Sequence, residues 1–328
     1  MSEKVSLASF LGIKYPFIQG AMANISNGEF AAAMSNAGAL GVIASGGMDI
    51  ETLEENVATC RKLTDKPFAV NIMMKHPQVD EVCDLVTELK VPVLTTGAGN
   101  PGQYMEQWKA AGIKVIPVVA SVALAQRMER AGADAVIAEG TESGGHVGEM
   151  ATMALVPQVV DAVDIPVVAA GGIADGRQFL AALSLGACGA QLGTCLLVSE
   201  ECPVHQNYKD AVIKAKDNDT VVTGRFSGSP VRQIKNHMTR GYLRDEKAGQ
   251  TREELGHYMI GALRRAVNEG DTKDGSVLAG QVSGMIHEVK PAAQIFEEIY
   301  SGAIEAREEL DGEMGLIYGE QAKDGRQA

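Results

Sequence analysis

A stretch rich in glycine surrounds one histidine in the middle of the chain. Residues 138–149 read AEGTESGGHVGE, and the apolar run ADAVIA that leads into them is typical of a buried strand. Folding must remove the backbone freedom of each glycine, so four glycines in one loop weaken local order. Two interpretations follow. Either this is a loose surface loop with an incidental histidine, or the backbone closes on a bound molecule and aims His146 at it.

Two further pairs of small residues follow later apolar runs. Gly171-Gly172 comes after IPVVAA, and Gly193-Thr194 comes after GAQL. Adjacent glycines let backbone N–H groups approach an anion, and the threonine adds a hydroxyl donor. Taken singly, a glycine pair after a strand is also explained by a tight turn. The choice between these interpretations depends on where the fold places the two pairs.

Eight short apolar runs recur along the first two hundred residues. They are rich in Val and Ile and apolar on both faces, which is typical of parallel strands covered on both sides. The runs cover residues 16–22, 40–45, 68–74, 91–97, 114–120, 134–140, 165–172 and 189–197. Helical patterns lie between them, over 27–38, 51–65, 103–112, 122–132, 153–163 and 176–186. Each pattern ends at a glycine or just before a proline, as helices commonly do.

Eight strand–helix units predict an α/β fold, a closed (β/α)8 TIM barrel of about 250 residues. The alternative is a doubly wound open sheet, which usually has fewer strands and a glycine-rich first turn. The first turn here reads QGAMAN and lacks the G-x-G-x-x-G spacing, which favours the barrel. We expect residues 1–202 and 275–328 to form it, with an amphipathic helix over 293–312 closing onto it. Residues 203–274 are charged and partly helical, and are expected to form a small inserted domain on the substrate or nucleotide side.

A barrel of this kind carries its chemistry at the carboxyl ends of its strands, and phosphate often binds after the seventh and eighth. Both glycine pairs fall there, so we predict a phosphate site. Asn71 and Glu139 are polar residues at apolar strand ends, and could cap strands or hydrogen-bond a flat heterocycle. One phosphate and one flat ring fit FMN, whereas pyridoxal phosphate would need a lysine at a strand end. The predicted cofactor-binding residues are Gly20, Ala21, Met22, Ala23, Asn71, Glu139, Gly145, Ala170, Gly171, Gly172, Gln191, Gly193 and Thr194.

Composition excludes several classes of protein. The 328 residues are 45% hydrophobic and carry a formal charge of −13, which argues against a nucleic-acid partner. No window approaches the roughly 20 apolar residues of a membrane span, and the first residues lack a signal-peptide core, so we expect a cytoplasmic protein. The five cysteines form no C-x-x-C pair, and we expect no metal. Residues 224–247 are locally basic, either as a solvated face or as a dock for an acidic partner or a phosphate.

The chain resembles a known family. The matching stretches are YPFIQGAMA, SNAGALGVI, DKPFAVNIM, TTGAGNP, IPVVASVALAQRMERAGADAVIAEGTESGGHVGEMATM, IPVVAAGGIADG and GSVLAGQVSG. They are similar to the flavin-dependent enoyl-acyl-carrier-protein reductases (FabK type), within the wider nitronate monooxygenase-like barrel superfamily. The resemblance covers nearly the whole chain. The last two long stretches are specific to the reductase branch.

This resemblance implies an FMN-containing oxidoreductase of fatty acid biosynthesis. Such an enzyme reduces the 2,3-double bond of an enoyl thioester with NADH or NADPH, and its substrate is an enoyl-acyl carrier protein or enoyl-CoA. His146 matches the active-site histidine of the family. We interpret it as a hydrogen-bond donor to the thioester oxygen and as a proton source, with the loop glycines making room beside flavin and thioester. We also expect a homodimer.

Four positions depart from the family pattern. The family usually has a second glycine where Ala21 stands and an aromatic residue where Asn24 stands. It also usually has an arginine and an aromatic residue after the Gly-Thr pair, where this chain has Cys195 and Leu196. The first two changes affect the ring side of the predicted flavin pocket, and the loss of the arginine removes a positive charge near the predicted phosphate.

Two other functions compete with the reductase. A nitronate monooxygenase would use the same barrel, FMN and histidine, but the histidine would deprotonate a nitroalkane and O2 would be the oxidant. A catalytically silent barrel that binds a phosphate or nucleotide and serves as an interaction protein is the third. Bleaching of a flavin by NADH without oxygen separates the first two, and a colourless protein would favour the third.

Overall fold

The computed structural model describes residues 5–324 of the chain. Its strands are β1 (Phe17–Gln19), β2 (Gly41–Ala44), β3 (Phe68–Met73), β4 (Val93–Gly97), β5 (Lys114–Val119), β6 (Val136–Glu139), β7 (Gly145–His146), β8 (Val167–Ala170), β9 (Gly189–Leu192), β10 (Thr220–Thr223) and β11 (Val231–Ile234). Its α-helices are α1 (Leu7–Leu11), α2 (Gly28–Asn36), α3 (Ile50–Leu63), α4 (Val79–Glu88), α5 (Met105–Ala110), α6 (Val122–Arg130), α7 (Thr152–Val160), α8 (Gly176–Ser184), α9 (Gln206–Lys214), α10 (His237–Lys247), α11 (Gly256–Met259), α12 (Ala262–Arg264) and α13 (Ala292–Asp324). Short 3-10 helices cover Gly102–Tyr104, Thr194–Val198 and Gln281–Met285, and a π-helical turn covers Arg265–Glu269.

Eight parallel strands of the described residues form one sheet, in the order β1-β9-β8-β6-β5-β4-β3-β2. A parallel bridge between Ile18 and Leu40 joins the two ends of that order, so the sheet closes on itself. The buried side chain of Gln19 supports this seam, because its Oε1 accepts a hydrogen bond from the Val42 amide at 2.9 Å. The predicted (β/α)8 barrel is therefore confirmed.

Two of the differences between the predicted elements and the structure have a clear local cause. The eighth apolar run, 189–197, is only half strand: β9 ends at Leu192 and a 3-10 helix begins at Thr194. Gly193 makes this break, since its ψ of −73° leaves the extended region. Helix α4 was not predicted, and it begins at Val79 without a side-chain cap, so its sequence lacks the usual start signal.

Apolar side chains pack in two layers, one inside the barrel and one between the strands and the surrounding helices. Neighbours along a strand alternate between them, so that Val42 belongs to the inner cluster and Ile43 to the outer one. Leu7 and Leu11 of α1 join the inner cluster, and Lys114 at the start of β5 donates to the Phe10 carbonyl at 2.7 Å. Helix α1 thus closes the amino end of the barrel and leaves the carboxyl end for a site.

Helix α13 packs along α8 on the outside of the barrel. The two backbones meet at glycines, since a Cβ on Gly176 would lie only 2.1 Å from the carbonyl carbon of Gly302. Such a close approach lets the long helix cover the apolar outer layer, to which it contributes the buried side chains of Phe296 and Ile299. The predicted closing helix over 293–312 lies within this element.

Residues 203–274 attach to the barrel at two levels. Helix α9 packs into the barrel's outer layer through Tyr208, whose hydroxyl donates to the Leu278 carbonyl at 2.9 Å. Farther out, β10 and β11 form an antiparallel hairpin, and β11 also pairs with β7 of the glycine-rich loop. The division into separate domains stays a prediction, but this pairing ties the inserted segment to the loop that carries His146.

Within residues 5–324, none of the helices has the length and apolar composition that crossing a bilayer requires. The expected cytoplasmic location and homodimer stay predictions.

Candidate functional site

Two joined cavities open at the carboxyl end of the barrel. The larger has a volume of about 450 Å³ and the smaller about 90 Å³. They share part of their lining, including Met22, Glu139 and Gln191, so one elongated molecule could occupy both. Every predicted site residue lines one or both of them, namely Gly20, Ala21, Met22, Ala23, Asn71, Glu139, Gly145, His146, Ala170, Gly171, Gly172, Gln191, Gly193 and Thr194. The structure thus brings the predicted residues together, and their binding roles stay predictions.

The smaller cavity is surrounded by backbone amides without protein partners. Over residues 5–324, no protein acceptor binds the N–H groups of Gly171, Gly172, Ile173, Gly193 and Thr194. The Thr194 hydroxyl accepts from the Gly280 amide at 2.9 Å, which leaves its own hydrogen for another acceptor. Unpaired donors around a small cavity fit an anion with several oxygen atoms, and one of them lies at the start of a 3-10 helix.

We call the group of unpaired amides around the smaller cavity the anion cradle. Two of its glycines follow β8. Gly171 and Gly172 have φ values of +89° and +74°, in the left-handed region that other residues avoid. A Cβ on Gly171 would also lie 2.7 Å from the Gly140 carbonyl oxygen. Gly193 is different, because its φ is negative, at −124°, and a Cβ there would meet no protein atom within 4 Å. At Gly193 the space is open on the cavity side.

The larger cavity has polar groups at the strand ends. Asn71 of β3 lies opposite Thr95 of β4, and its Nδ2 donates to the Thr95 hydroxyl at 2.9 Å. This bond orients the amide and leaves its Oδ1 free to accept. The surrounding wall is mainly apolar, with Met22, Met73 and Leu278 among its residues. A flat ring with polar edges suits such a cavity.

Glu139 lies where the two cavities meet. Its carboxylate accepts from the Ser143 hydroxyl at 3.0 Å and lies 3.4 Å from Nε2 of Gln191. Burial raises the pKa of Glu139 to about 7, while the hydrogen bond from Ser143 opposes the rise. Near neutral pH this side chain therefore exists in both forms and can donate or accept a hydrogen bond.

The glycine-rich loop is firmly held at its base. The Glu142 carboxylate accepts from the Thr152 amide at 3.0 Å and from the Thr152 hydroxyl at 2.9 Å, at the start of α7. A carboxylate is favourable at a helix N-terminus. The Glu142 carbonyl accepts from the Gln281 amide at 2.9 Å, and the Thr141 amide donates to the Met150 carbonyl at 2.7 Å. The interpretation as a loose surface loop is therefore wrong.

Most of the loop glycines are required by the protein itself. A Cβ on Gly140 would lie 2.0 Å from the Thr152 hydroxyl oxygen, and one on Gly144 would lie 2.8 Å from Ala279. A Cβ on Gly148 would lie 2.8 Å from the Cβ of Ala120. Sequence analysis assigned these glycines to making room for ligands, but here they make room for neighbouring backbone and side chains. Gly145 is the exception, with a φ of +77° and its nearest neighbour 4.0 Å away.

His146 lies at the mouth of the larger cavity. Its backbone pairs with Val231 of β11, and the next amide, that of Val147, donates to the Pro230 carbonyl at 3.2 Å. The side chain reaches solvent, yet partial burial lowers its pKa, and the positive charges of Lys75 and Arg252 lower it further. This lowered pKa favours the neutral imidazole, in which one ring nitrogen donates and the other accepts.

The basic stretch is not a continuous charged surface. Arg232 is only 7% exposed and donates to the Thr141 carbonyl at 3.0 Å, so it cannot contact a docked partner. Arg225 pairs with Glu149 at 2.6 Å, and Arg244 pairs with Asp245 at 2.7 Å. Arg240 is exposed and forms no ion pair with any described residue. Any docking surface must therefore use Arg240 and its exposed neighbours and not Arg232.

The departures from the family pattern have structural counterparts. Asn24 has a φ of +61°, which asparagine tolerates better than aromatic residues, and its Oδ1 lies 2.7 Å from where a Cβ on Gly47 would be. Cys195 is buried in the 3-10 helix after Gly193, and burial raises the pKa of its thiol to about 12. Cys195 is thus an apolar packing residue, while the amides before it supply the anion cradle.

Sequence analysis missed several lining residues. Leu263 comes from the inserted segment and no local signal marks it, whereas Leu278 lies in the stretch GSVLAGQVSG and could have been found from it. Ser143 was also missed, although it belongs to the glycine-rich loop. Its contact with Glu139 depends on the loop turning back, which spacing does not reveal.

Comparison with known proteins gives one family, whose members carry different named activities. The sequence model of the nitronate monooxygenase family matches residues 4–84 and 79–302. A probable nitronate monooxygenase of Staphylococcus saprophyticus is 34% identical over 348 aligned positions, covering 90% of this chain and 96% of the relative. A relative from Rhodococcus jostii is 31% identical, and the alignment covers 92% of this chain and 96% of the relative. That relative is a (3aS,4S,5R,7aS)-5-hydroxy-7a-methyl-1-oxo-octahydro-1H-indene-4-carboxyl-CoA dehydrogenase. The structure of FabK from Thermotoga maritima is 46% identical, with a TM-score of 0.91 over 93% of this chain and 98% of that one.

Proposed function

Since the chain belongs to the nitronate monooxygenase family of oxidoreductases, we propose that it is an FMN-dependent enoyl-thioester reductase of fatty acid biosynthesis. Its reductant would be NADH or NADPH, and its substrate an enoyl-acyl carrier protein or enoyl-CoA. The similarity to FabK carries this proposal, since it is stronger than that to the probable nitronate monooxygenase, at 46% against 34% identity. The Rhodococcus relative is named for a CoA thioester, which also favours this substrate class.

The site fits FMN by its donor groups and shape. The unpaired amides around the smaller cavity would hold the phosphate, with Gly171, Gly172 and Gly193 among them. Asn71 and Glu139 would hydrogen-bond the polar edge of the ring in the larger cavity. When bound, the flavin would supply the hydride that the double bond receives. The protein's contribution is then to hold the thioester, exclude water and move a proton.

His146 has the position and protonation state for a role at the thioester carbonyl. A neutral imidazole can donate a hydrogen bond to an oxygen that gains negative charge as the double bond is reduced. The proton that the α-carbon requires would come from the protonated form of this ring, because a neutral imidazole is too weak an acid to supply it. Its backbone is held by pairing with β11 and by the bond from the Val147 amide to the Pro230 carbonyl, so the loop that carries the ring is in place before substrate binds.

The cavity wall restricts access of water to the reacting atoms. Leu124, Leu263 and Leu278 line the larger cavity together with Met22 and Met73. Apolar walls strengthen hydrogen bonds made inside the cavity, because they lower the local dielectric constant. Leu263 comes from the inserted segment, so that segment contributes to the wall and would contact the acyl or pantetheine part of the substrate.

We include an acidic carrier protein as the macromolecular partner. Arg240 and Lys247 are exposed on α10 of the inserted segment. The whole chain carries a formal charge of −13, so an acidic partner would be repelled from most of the surface. Charge reversal of these two cations tests docking, whereas the buried Arg232 cannot contact a partner.

Turnover assays test the proposal directly. Purified protein should be yellow, NADH or NADPH should bleach it without oxygen, and crotonyl-CoA should restore the colour. The second candidate, a nitronate monooxygenase, is favoured by the family match and by the Staphylococcus relative. It predicts no bleaching by either nucleotide and oxygen-dependent turnover of a nitronate such as that of nitroethane. That second pattern, or a protein that binds no flavin, would refute the reductase.

A further inference from the structure

Arg232 is a buried cation at the junction between the inserted segment and the glycine-rich loop. Its side chain donates through Nε to the Thr141 carbonyl at 3.0 Å and through Nη1 to the Thr220 hydroxyl at 3.1 Å. Its backbone pairs with Gly145 across the β7–β11 ladder. One residue therefore contacts the loop at two points, one at its start and one next to His146.

The fold alone does not explain a charge at this position. Burial lowers the pKa of Arg232, as does the charge of Arg225, and the charge of Glu142 opposes this shift. None of the ion pairs among the described residues includes Arg232, so Glu142 acts on it without forming an ion pair. Burying an unpaired guanidinium is costly, and apolar side chains of similar size often serve a fold equally well at such positions. What an apolar side chain could not provide is the bond to Thr141, which fixes the start of the loop.

The other hydrogen bonds of the loop form two separate sets, and Arg232 connects them. Glu142 ties the loop to α7 and to the Gln281 amide, on the barrel side. On the side of the inserted segment, the short β7–β11 ladder and the Val147 amide bond hold the backbone around His146. Arg232 is the side chain that joins these two sets, since it reaches from β10 and β11 to Thr141.

We propose that Arg232 is a positioning residue for His146, which couples the placement of the inserted segment to the geometry of the active-site loop. This inference rests on the proposed function, because the effect appears when the enoyl thioester is reduced. A displacement of about 1 Å can cost about 100-fold in rate, so loss of the Thr141 bond should lower turnover by roughly 10- to 100-fold.

The experiment compares Arg232→Met with Arg307→Met, which removes an exposed arginine of α13 outside the proposed site. Arg232→Met should keep its thermal midpoint within a few degrees, retain FMN and be reduced by NADH at nearly the native rate. Its flavin should be reoxidised by crotonyl-CoA about 10- to 100-fold more slowly. Arg307→Met should match the native protein in all four measurements. Thr220→Val, which loses only the second bond, should have a smaller effect than Arg232→Met.

The decisive measurement is the double variant Arg232→Met/His146→Ala. If Arg232 acts through His146, the double variant should be no slower than His146→Ala, within about twofold. If the rate losses of the two single variants multiply in the double variant, Arg232 has a general structural role and the proposal is overturned. Native reoxidation rates in Arg232→Met would also overturn it.

A second readout does not depend on turnover. In histidine-labelled protein, NMR titration should show the pKa of His146 rising toward its ordinary value in Arg232→Met, because the loop moves away from the groups that lower it. The other histidines should titrate as before, and the His146→Ala spectrum identifies the signal. An unchanged His146 titration would overturn the proposal even if the native protein proved inactive with enoyl thioesters, an outcome that by itself refutes only the proposed reductase.

Discussion

Gly193 offers a direct test of the cofactor site, because no protein atom occupies the space that a side chain there would take. Its φ is negative, at −124°, and an added Cβ would meet no protein atom within 4 Å. The same position lines both cavities, so the added methyl would project into the space assigned to the phosphate end of FMN. Gly193→Ala should therefore disturb binding and leave folding intact.

The size of the effect follows from these contacts. In the cofactor-free protein, a Gly→Ala change at a compatible position changes stability by less than about 1 kcal/mol. Inserting a methyl into an occupied, well-packed space costs about 1–3 kcal/mol. That cost corresponds to a rise in the Kd for FMN of about 5- to 150-fold. Stability and affinity should thus change by clearly different amounts.

The assay is a fluorescence titration of cofactor-free protein with FMN, paired with thermal unfolding in the same buffer. Gly312→Ala on α13 is the matched control, since its Cβ also meets nothing within 4 Å but it lies far along an exposed helix. It should leave the Kd unchanged and raise stability slightly, by about 0.5–1 kcal/mol. If Gly193→Ala bound FMN as tightly as the native protein, the cradle would be wrongly assigned.

Three further predictions concern catalysis, pH and docking. His146→Ala should retain FMN and its reduction by NADH, but slow reoxidation by crotonyl-CoA by about 100- to 1,000-fold in stopped-flow assays. Glu139 has its pKa raised from 4.5 to about 7, so in cofactor-free protein its protonated form favours folding, and this contribution is complete below pH 4.5 and lost as the pH rises through 7. The difference in Tm between Glu139→Gln and the native protein should therefore grow in favour of the variant as the pH rises over that interval. A constant difference in Tm would contradict the raised pKa of Glu139. Arg240→Glu/Lys247→Glu should raise KM for a carrier-bound enoyl substrate at low salt, with KM for crotonyl-CoA unchanged; equal values for the carrier substrate would remove α10 as the docking site.

The barrel was predictable because its elements repeat a strong local pattern. Each strand is a short apolar run ended by glycine or polar residues, and most helices carry a clear stop signal. Helix α4 lacks a start signal, because no side chain caps its first residue, Val79, and this helix was missed. Gly193 ended β9 within an apolar run, and composition alone could not place that break.

The candidate site was predictable to the extent that it follows from strand ends. Parallel strands bring their carboxyl ends to one edge, so Asn71, Glu139 and Gly171 could be assigned to one place before any coordinates were available. The tertiary contacts of the loop could not. The burial of Arg232 and the packing of Gly144 against Ala279 both depend on segments that lie far away in the sequence.

The pairing of β7 with β11 also determines when the site can form during synthesis. His146 leaves the ribosome well before Val231, its partner across the ladder. All eight barrel strands have been synthesised by the time Val231 is added, because β9 ends at Leu192. Contacts between distant residues form late, because the intervening chain must first be ordered. A nascent chain that stops short of β11 could close its barrel and still lack an aligned histidine, so reactivity would be acquired only after the cylinder is complete.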